Sequence, residues 1–355
     1  MMKKRIGILT FHFSNHNYGA LLQTYASVTL LSKLGYDSKV INLIPEEYQK
    51  KRSLMLIISD LILKNPFYVF RNKFIPLTKM IKSKKDLIEL NNQFEIFFVG
   101  SDQVWRKGFA FENYFHYFLD FVNEDKMKIS YAASFGEDHL DIDNDTRIHL
   151  KKLLDGFCSI SVREDSGINI CRNEFDIKAE KVLDPTLLLT VDDYNVIISS
   201  ESHKRIKHSY IAYYQLTHTI GESNNALQIS KWLNLPLENV YRQSIDFGIR
   251  TFTPFSSFSQ WLFKIKQSDF VVTDSYHCMI FAIIYRKDFV VLGNDFGGNT
   301  RVTSLLESLD LKDRYLEKID ECLLLSLLPI NYDEVYKKLV VLKLNSMTFL
   351  SKLTV

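Results

Sequence analysis

Cysteine, glycine and proline are scarce in this chain: four, thirteen and seven among 355 residues. The cysteines are Cys158, Cys171, Cys278 and Cys322, and no pair has C-x-x-C spacing. That excludes the usual zinc-ribbon and thioredoxin-like signals. Scattered cysteines of this kind act as small apolar side chains and fit a reducing compartment. The low glycine and proline content excludes collagen-like and low-complexity sequence and argues against long flexible linkers. A surplus of one charge is also lacking. Forty-four basic and forty-two acidic side chains leave +2, too balanced for a dedicated nucleic-acid binder. Long hydrophobic runs are missing too. The longest, residues 54–63, is broken by Asp60 and falls far short of the roughly 20 residues that span a bilayer. The apolar run after the basic N-terminus stops at His12, Ser14, Asn15 and His16, before the roughly 7–15 residues a secretory signal needs. The expectation is a cytoplasmic protein that begins with a strand.

What is present is the material of an ordinary folded protein. Hydrophobic residues make up 46% and charged residues 24%, and at about 150 residues per domain the length predicts two domains. Aromatic residues are abundant at 13%. One stretch stands out. Residues 50–85 carry ten lysines and arginines and a single acid, Asp60. They read either as a segment in peripheral contact with an anionic membrane or as packed helices with solvated lysines.

Short apolar runs alternate with helical patterns along the chain. Strands are predicted over 5–11, 38–44, 94–99, 128–134 and 159–163, with helices over 18–34, 150–157 and 165–172. Gly35 stands where a helix C-cap belongs. A second series has strands over 208–215, 239–242, 270–273 and 289–292, with helices over 224–233, 258–266, 276–285 and 303–309. This alternation predicts an α/β fold of parallel sheets built from βαβ units. The reading is two Rossmann-like domains facing a cleft, 1–190 and 191–330. A C-terminal helix in 331–355 packs back across the junction.

Ligands of such folds bind beyond the carboxyl ends of the strands, so the residues just after each strand carry the functional information. Asn17 and Gly19 precede and open the first helix, as an anion site or as a simple tight turn. Asp102, Gln103 and Trp105 follow the apolar strand 94–99. Asp102 reads as a general base and Trp105 as a sugar platform, against an Asx turn beside a core tryptophan. Arg163 offers a fork suited to phosphate or carboxylate, or else a charge pair with Glu164. Ser275 and His277 follow strand 270–273. A histidine in a first helical turn is kept neutral and basic by the dipole, unless it is a hydrogen-bonded structural residue. Gly297, Gly298 and Arg301 read as an anion clamp or a surface loop. No G-x-G-x-x-G, P-loop or G-x-S-x-G motif occurs. His12 and His16 lack a third ligand nearby, so no metal is expected.

Taken together and in order, these stretches resemble the polysaccharide pyruvyl transferase family. The matching blocks are Asn17-Tyr-Gly-Ala-Leu-Leu-Gln23, Val99-Gly-Ser-Asp-Gln-Val-Trp105, Ile129-Ser-Tyr-Ala-Ala-Ser-Phe-Gly136, Ile160-Ser-Val-Arg-Glu-Asp-Ser-Gly167, Val182-Leu-Asp-Pro-Thr186 and Thr273-Asp-Ser-Tyr-His277, with Arg301 and Ser304-Leu-Leu306. The resemblance covers about residues 5–315. It implies a metal-independent GT-B-like protein that moves the enolpyruvyl unit of phosphoenolpyruvate onto a sugar of a surface polysaccharide or its lipid-linked precursor. It assigns donor phosphate or carboxylate to Arg163 and acid/base catalysis to His277, with phosphoenolpyruvate as co-substrate and no cofactor. On this reading Asp102 shares the acid/base work, Asn17, Gly19, Ser275 and Arg301 serve the donor anion, and Gln103 and Trp105 serve the acceptor. Cys278 stands where the family usually has glycine and is expected to narrow the pocket beside the histidine. Phe258-Ser-Gln260 stands where the family usually has Pro-Glu-Glu. Two other readings share the fold: a GT-B glycosyltransferase using a nucleotide sugar, and a non-catalytic assembly protein of a glycan pathway.

Overall fold

The computed structural model describes residues 3–46, 65–216, 220–242, 245–246, 251–252, 254–293 and 299–354. Two compact units form. The first comprises Met1–Asn15, Ala20–Leu188 and Val340–Val355; the second comprises His16–Gly19 and Leu189–Leu339.

Seven strands build the sheet of the first unit: β1 (Arg5–Leu9), β2 (Asp37–Asn42), β3 (Leu77–Met80), β4 (Ile96–Val99), β5 (Met127–Ala133), β6 (Ser159–Val162) and β7 (Glu180–Lys181). All pair in parallel in the order β3-β2-β1-β4-β5-β6-β7. Ile8 stands opposite Val40 on one side and Phe98 on the other. Strand β4 reads Ile-Phe-Phe-Val and is buried at all four positions, as a strand covered on both faces must be. The path runs outward from β1 to β3, then returns to β4 and proceeds the other way. A ligand crevice belongs beside that reversal, at the carboxyl ends of β1 and β4.

Local chemistry explains the element ends. Helix Tyr18–Lys33 stops at Gly35, whose φ of +91° is open to glycine without strain. Gly35 N donates to Ser32 O and Tyr36 N to Leu31 O, both at 3.0 Å, which is a Schellman closure. Helix Asn144–Asp155 starts on Asp143, whose carboxylate accepts from Thr146 N at 2.8 Å. Strand β3 was not anticipated. It lies inside the basic stretch, is half-exposed along its length and forms the sheet edge, so it lacks the apolar run of a central strand. Ahead of it, helix Pro66–Phe74 is capped by Asn65 and buries Phe67 and Phe70. The rest of the basic segment expected to touch a membrane, residues 50–64, lies outside the described residues. Among the described residues no helix is long and apolar enough to cross a membrane.

The second unit has its own sheet: β8 (Ile211–Tyr214), β9 (Leu237–Asn239), β12 (Phe270–Thr273), β13 (Asp288–Leu292) and β14 (Tyr315–Leu316), with a small antiparallel pair, β10 (Ile245–Asp246) and β11 (Thr251–Phe252), between β9 and β12. The five strands are parallel in the order β14-β13-β12-β8-β9, and the path reverses between β8 and β12. The strand expected over 239–242 is displaced to β9. Asn239 Oδ1 accepts from Tyr241 N at 2.8 Å and turns the chain there. Helix Phe258–Gln267 opens with a capping box of Ser257 and Gln260. Helix Tyr276–Ile284 is buried at all nine positions.

The last helix, Tyr332–Ser351, divides between the units at residue 339. In the second unit Tyr336 Oη donates to Ile284 O at 3.1 Å, and Tyr332 Oη donates to Lys287 O. In the first, Ser346 Oγ accepts from Leu183 N at 2.9 Å, and Phe349 packs on Tyr131.

His12 follows β1 and is wholly buried, with Nε2 3.1 Å from Asn42 Oδ1 and Nδ1 3.2 Å from Thr10 O. Burial depresses the imidazole to about 4, and Arg71 adds to the effect against the two hydrogen bonds. Folded His12 therefore stays neutral where the unfolded residue, titrating near 6.5, takes a proton. Stability from this group is full above pH 6.5 and falls as the pH drops toward 4. Between pH 7 and pH 5 the loss is on the order of 2 kcal/mol. Urea denaturation at the two pH values should show a larger drop for the native chain than for His12→Gln; equal drops would refute the assignment.

Candidate functional site

At the strand ends of the first unit the organising residue is Arg163, directly after β6. Its side chain has no exposed surface. Nη1 donates to Asp184 Oδ2 at 3.0 Å and Nη2 to Asp102 Oδ1 at 3.1 Å, while Nε lies 3.7 Å from a buried Glu164 carboxylate. The carboxylates are themselves anchored. Asp184 accepts from Ser101 Oγ at 2.8 Å and from Thr186 Oγ1 at 2.6 Å. Asp102 sits at φ +77° and accepts from Gln103 N at 2.9 Å. Two expectations are corrected by this geometry. Arg163 is spent on internal carboxylates rather than offered to a donor anion. Asp102 holds that arginine and its own turn rather than standing ready as a base.

Trp105 is corrected as well. It is fully buried, stacked on Phe118 at 5.2 Å and 9°, and its Nε1 donates to Tyr117 O at 2.9 Å. It is a core residue and presents no face to a sugar. Gln103 is largely buried; its Oε1 accepts from Arg106 at 3.1 Å and presses on Gly136, where a Cβ would overlap it. Its place is in the loop packing, so the acceptor role is withdrawn with that of Trp105.

In the second unit the predicted residues do gather. Asp274 follows β12 and accepts from Leu216 N at 2.7 Å, joining the segments that leave β12 and β8 at the reversal. Ser275 is the N-cap of helix Tyr276–Ile284; its Oγ accepts from Cys278 N. The Ser275 hydroxyl thus caps the helix. His277 is in the first turn behind that cap, 4% exposed. Gly19 lies against its ring so closely that a Cβ there would overlap Nδ1 and Cγ. The segment is set by Tyr18, whose ring stacks on Trp261 at 5.1 Å and 10° and whose hydroxyl donates to Ser256 O at 2.6 Å. Gly19 makes room for the imidazole. Asn17 is half-buried just ahead of the helix.

Arg301 lies in the first turn of helix Asn299–Ser308, half-buried, its guanidinium carbon 5.6 Å from the centre of the Tyr276 ring. His277 and Arg301 thus both lie beside the Tyr276 ring at one end of the second sheet. Gly297 and Gly298 of the expected clamp lie outside the described residues. Cys278 is fully buried, with its thiol pKa raised by burial. It points into the core and does not narrow a pocket beside His277. Among the described residues no three His, Cys, Asp or Glu side chains stand close enough to hold a metal ion.

Reading by sequence missed Asp184, Asp274 and Tyr18. Asp274 and Tyr18 lay inside blocks singled out for a neighbour, and Asp184 lay inside one of the matching blocks; strand-end placement is the signal that would have found Asp274.

Removing the Arg163 guanidinium leaves buried carboxylates without their counter-charge, which costs roughly 3–5 kcal/mol. Arg163→Ala should lower the unfolding free energy, read from urea denaturation, by that much, and Arg163→Ala with Asp184→Asn should recover part of it. A near-neutral Arg163→Ala would restore the arginine to ligand binding.

Nothing among curated protein sequences matches the chain. Solved structures do. A protein described as a UDP-N-acetylglucosamine 2-epimerase from Listeria monocytogenes superposes with a TM-score of 0.51 at 12% identity, over 96% of this chain and 88% of that one. The UDP-GlcNAc 2-epimerase from Neisseria meningitidis, bound to UDP-GlcNAc, gives 0.50 at 10% identity over 97% and 94%. At such identities the likeness shows the fold: α/β with parallel sheets, in the two-domain Rossmann-like arrangement of GT-B type. The family model for polysaccharide pyruvyl transferase matches residues 17–296, a span that opens at Asn17 beside Gly19 and takes in His277. On that match, which takes in most of the sequence, the chain belongs to the polysaccharide pyruvyl transferase family.

Proposed function

We propose that the protein transfers the enolpyruvyl unit of phosphoenolpyruvate to a sugar of a surface polysaccharide or its lipid-linked precursor, forming a pyruvate ketal and releasing phosphate. The observation that carries the reading is the placement of His277 in a first helical turn at the reversal of the second sheet, seated on Gly19, with Arg301 across Tyr276. The chemistry asks for those groups. The donor's methylene carbon gains one proton, two sugar hydroxyls lose one each as their oxygens bond the central carbon, and the phosphate leaves with the old C–O bond, carrying the remaining proton. One side chain that both gives and takes a proton serves these steps, and His277 is that group. Arg301 receives the donor's phosphate or carboxylate through its fork. A lipid-linked acceptor would bring the reaction to the inner face of a membrane, where the basic stretch 50–85 would meet anionic lipid. Cytoplasmic action suits a chain with scattered cysteines.

Two outcomes are expected. Phosphoenolpyruvate at about a hundred times its dissociation constant adds about 2.7 kcal/mol of stability, read as a raised melting midpoint that Arg301→Ala abolishes. UDP is the comparison ligand, because the N. meningitidis epimerase was solved with UDP-GlcNAc; a shift with UDP alone would move the reading to glycosyl transfer. His277→Ala should keep the phosphoenolpyruvate shift and lose acceptor-dependent phosphate release by roughly 100-fold or more. Full release in that variant would remove the catalytic assignment.

A further inference from the structure

In the first unit the edge strand β3 and the turn beyond it present cations and apolar tips together. Lys79, Lys82, Lys84 and Lys85 are four of seven consecutive residues, and no acid falls among them. All four are exposed, and so is Lys39 on the neighbouring strand β2. Lys39, Lys79 and Lys82 reach one hollow of about 840 Å3 beside the edge, together with Met80, Asp86 and Glu89. Both carboxylates are engaged close to home. Asp86, in the first turn of helix Lys84–Glu89, accepts from Lys82 N at 2.9 Å. Glu89 lies 3.9 Å from Lys85 Nζ. Among the described residues Lys39, Lys79, Lys82 and Lys84 are held in no ion pair. Met80 on the strand is 42% exposed, and Ile88 on the helix 49%.

Guarding a sheet edge against a second strand accounts for Lys79. It does not account for Lys82, Lys84 and Lys85 beyond the strand, nor for the two apolar side chains set among them. The chemistry of the cations narrows the partner. All are lysines, point charges on flexible stems, whereas an arginine fork is what fixes one anion in one geometry. Stems that are not pinned suit a field of many negative charges. Half-exposed methionine and isoleucine suit the apolar layer that lies just below such charges at a bilayer surface. A small soluble anion would use neither of them.

We propose that the β3 edge, with helix Lys84–Glu89, docks the protein on a bilayer surface that carries anionic lipid, headgroups against the lysines and the Met80 and Ile88 tips in the interface. The docking stands on these residues; only its use, bringing the chain to a lipid-linked acceptor, rests on the reaction proposed above. The test is co-flotation of the full chain with vesicles of phosphatidylcholine, alone or mixed equally with phosphatidylglycerol. The chain should float with the mixed vesicles at low salt, stay behind with phosphatidylcholine alone, and be released as salt is raised. Each lysine near an anionic surface adds roughly five-fold to binding. Lys79→Gln with Lys82→Gln should therefore weaken it about 25-fold, with the melting midpoint unchanged. Met80→Asn with Ile88→Asn should weaken it roughly five-fold. Lys204→Gln with Lys207→Gln, which removes the same charge from exposed positions of the second unit, should leave it unchanged. No flotation with the mixed vesicles, equal flotation with both kinds, or undiminished binding in the Lys79 and Lys82 variant would overturn the surface. An equal loss in the Lys204 and Lys207 variant would overturn it too, by reducing the attraction to overall charge. Tighter binding of polyglutamate than of the mixed vesicles would overturn the bilayer in favour of an acidic protein. The phosphoenolpyruvate melting shift separates the docking from the reaction. A shift without flotation overturns the surface alone; flotation without a shift keeps the surface and overturns its use.

Discussion

A guanidinium with no exposed surface has to be neutralised where it lies, and in the first unit that requirement falls on Arg163. Stripping an ion of water costs several kcal/mol even after relaxation, so the structure brings carboxylates to it from three places in the sequence: Asp102 after β4, Glu164 beside it and Asp184 beyond β7. Each is then fixed by its own donors, Ser101 and Thr186 on Asp184 and the Gln103 amide on Asp102. One buried charge thus dictates the course of several loops at the carboxyl edge of the sheet.

The second unit meets the same strand-end geometry with a different chemistry. There Asp274 accepts the Leu216 N–H, Ser275 caps a helix, and His277 follows in its first turn. His277 is fitted closely by shape. A glycine stands where any side chain would overlap the ring, and a buried tyrosine next to it holds that glycine in place. Such support by packing locks the orientation of the ring.

Much of this was readable before the fold was seen. The apolar run of β4, Gly35 at the helix end and the placing of His277 behind β12 follow from periodicity, glycine's tolerance of positive φ and the strand-end rule. Other features were hidden for physical reasons. Strand β3 is a half-exposed edge wrapped in lysines, and β7 and β14 are two residues long, so neither periodicity nor length marks them. Strand β9 moved because the Asn239 turn outweighed the β-propensity of Val240 and Tyr241. Arg163, Asp102 and Trp105 were picked out at the correct strand ends but given the wrong work. Sequence shows which residues reach a strand end; whether they face solvent or one another is decided by partners far along the chain, as Asp184 is for Arg163.

The cysteines acquire a use from where they fall. Cys158 and Cys322 are exposed, while Cys171 and Cys278 are buried, so each unit holds one surface thiol and one sealed thiol. Burial pushes Cys171 up to about 12 and raises Cys278 as well, which leaves both as unreactive thiols in the folded chain. An alkylating reagent would therefore mark two sites at once and the other two only as their surroundings open. The unmasking of Cys171 would clock the opening of the first unit. That of Cys278, one residue past His277, would clock the loosening of the helix that carries it, with no label introduced into the protein.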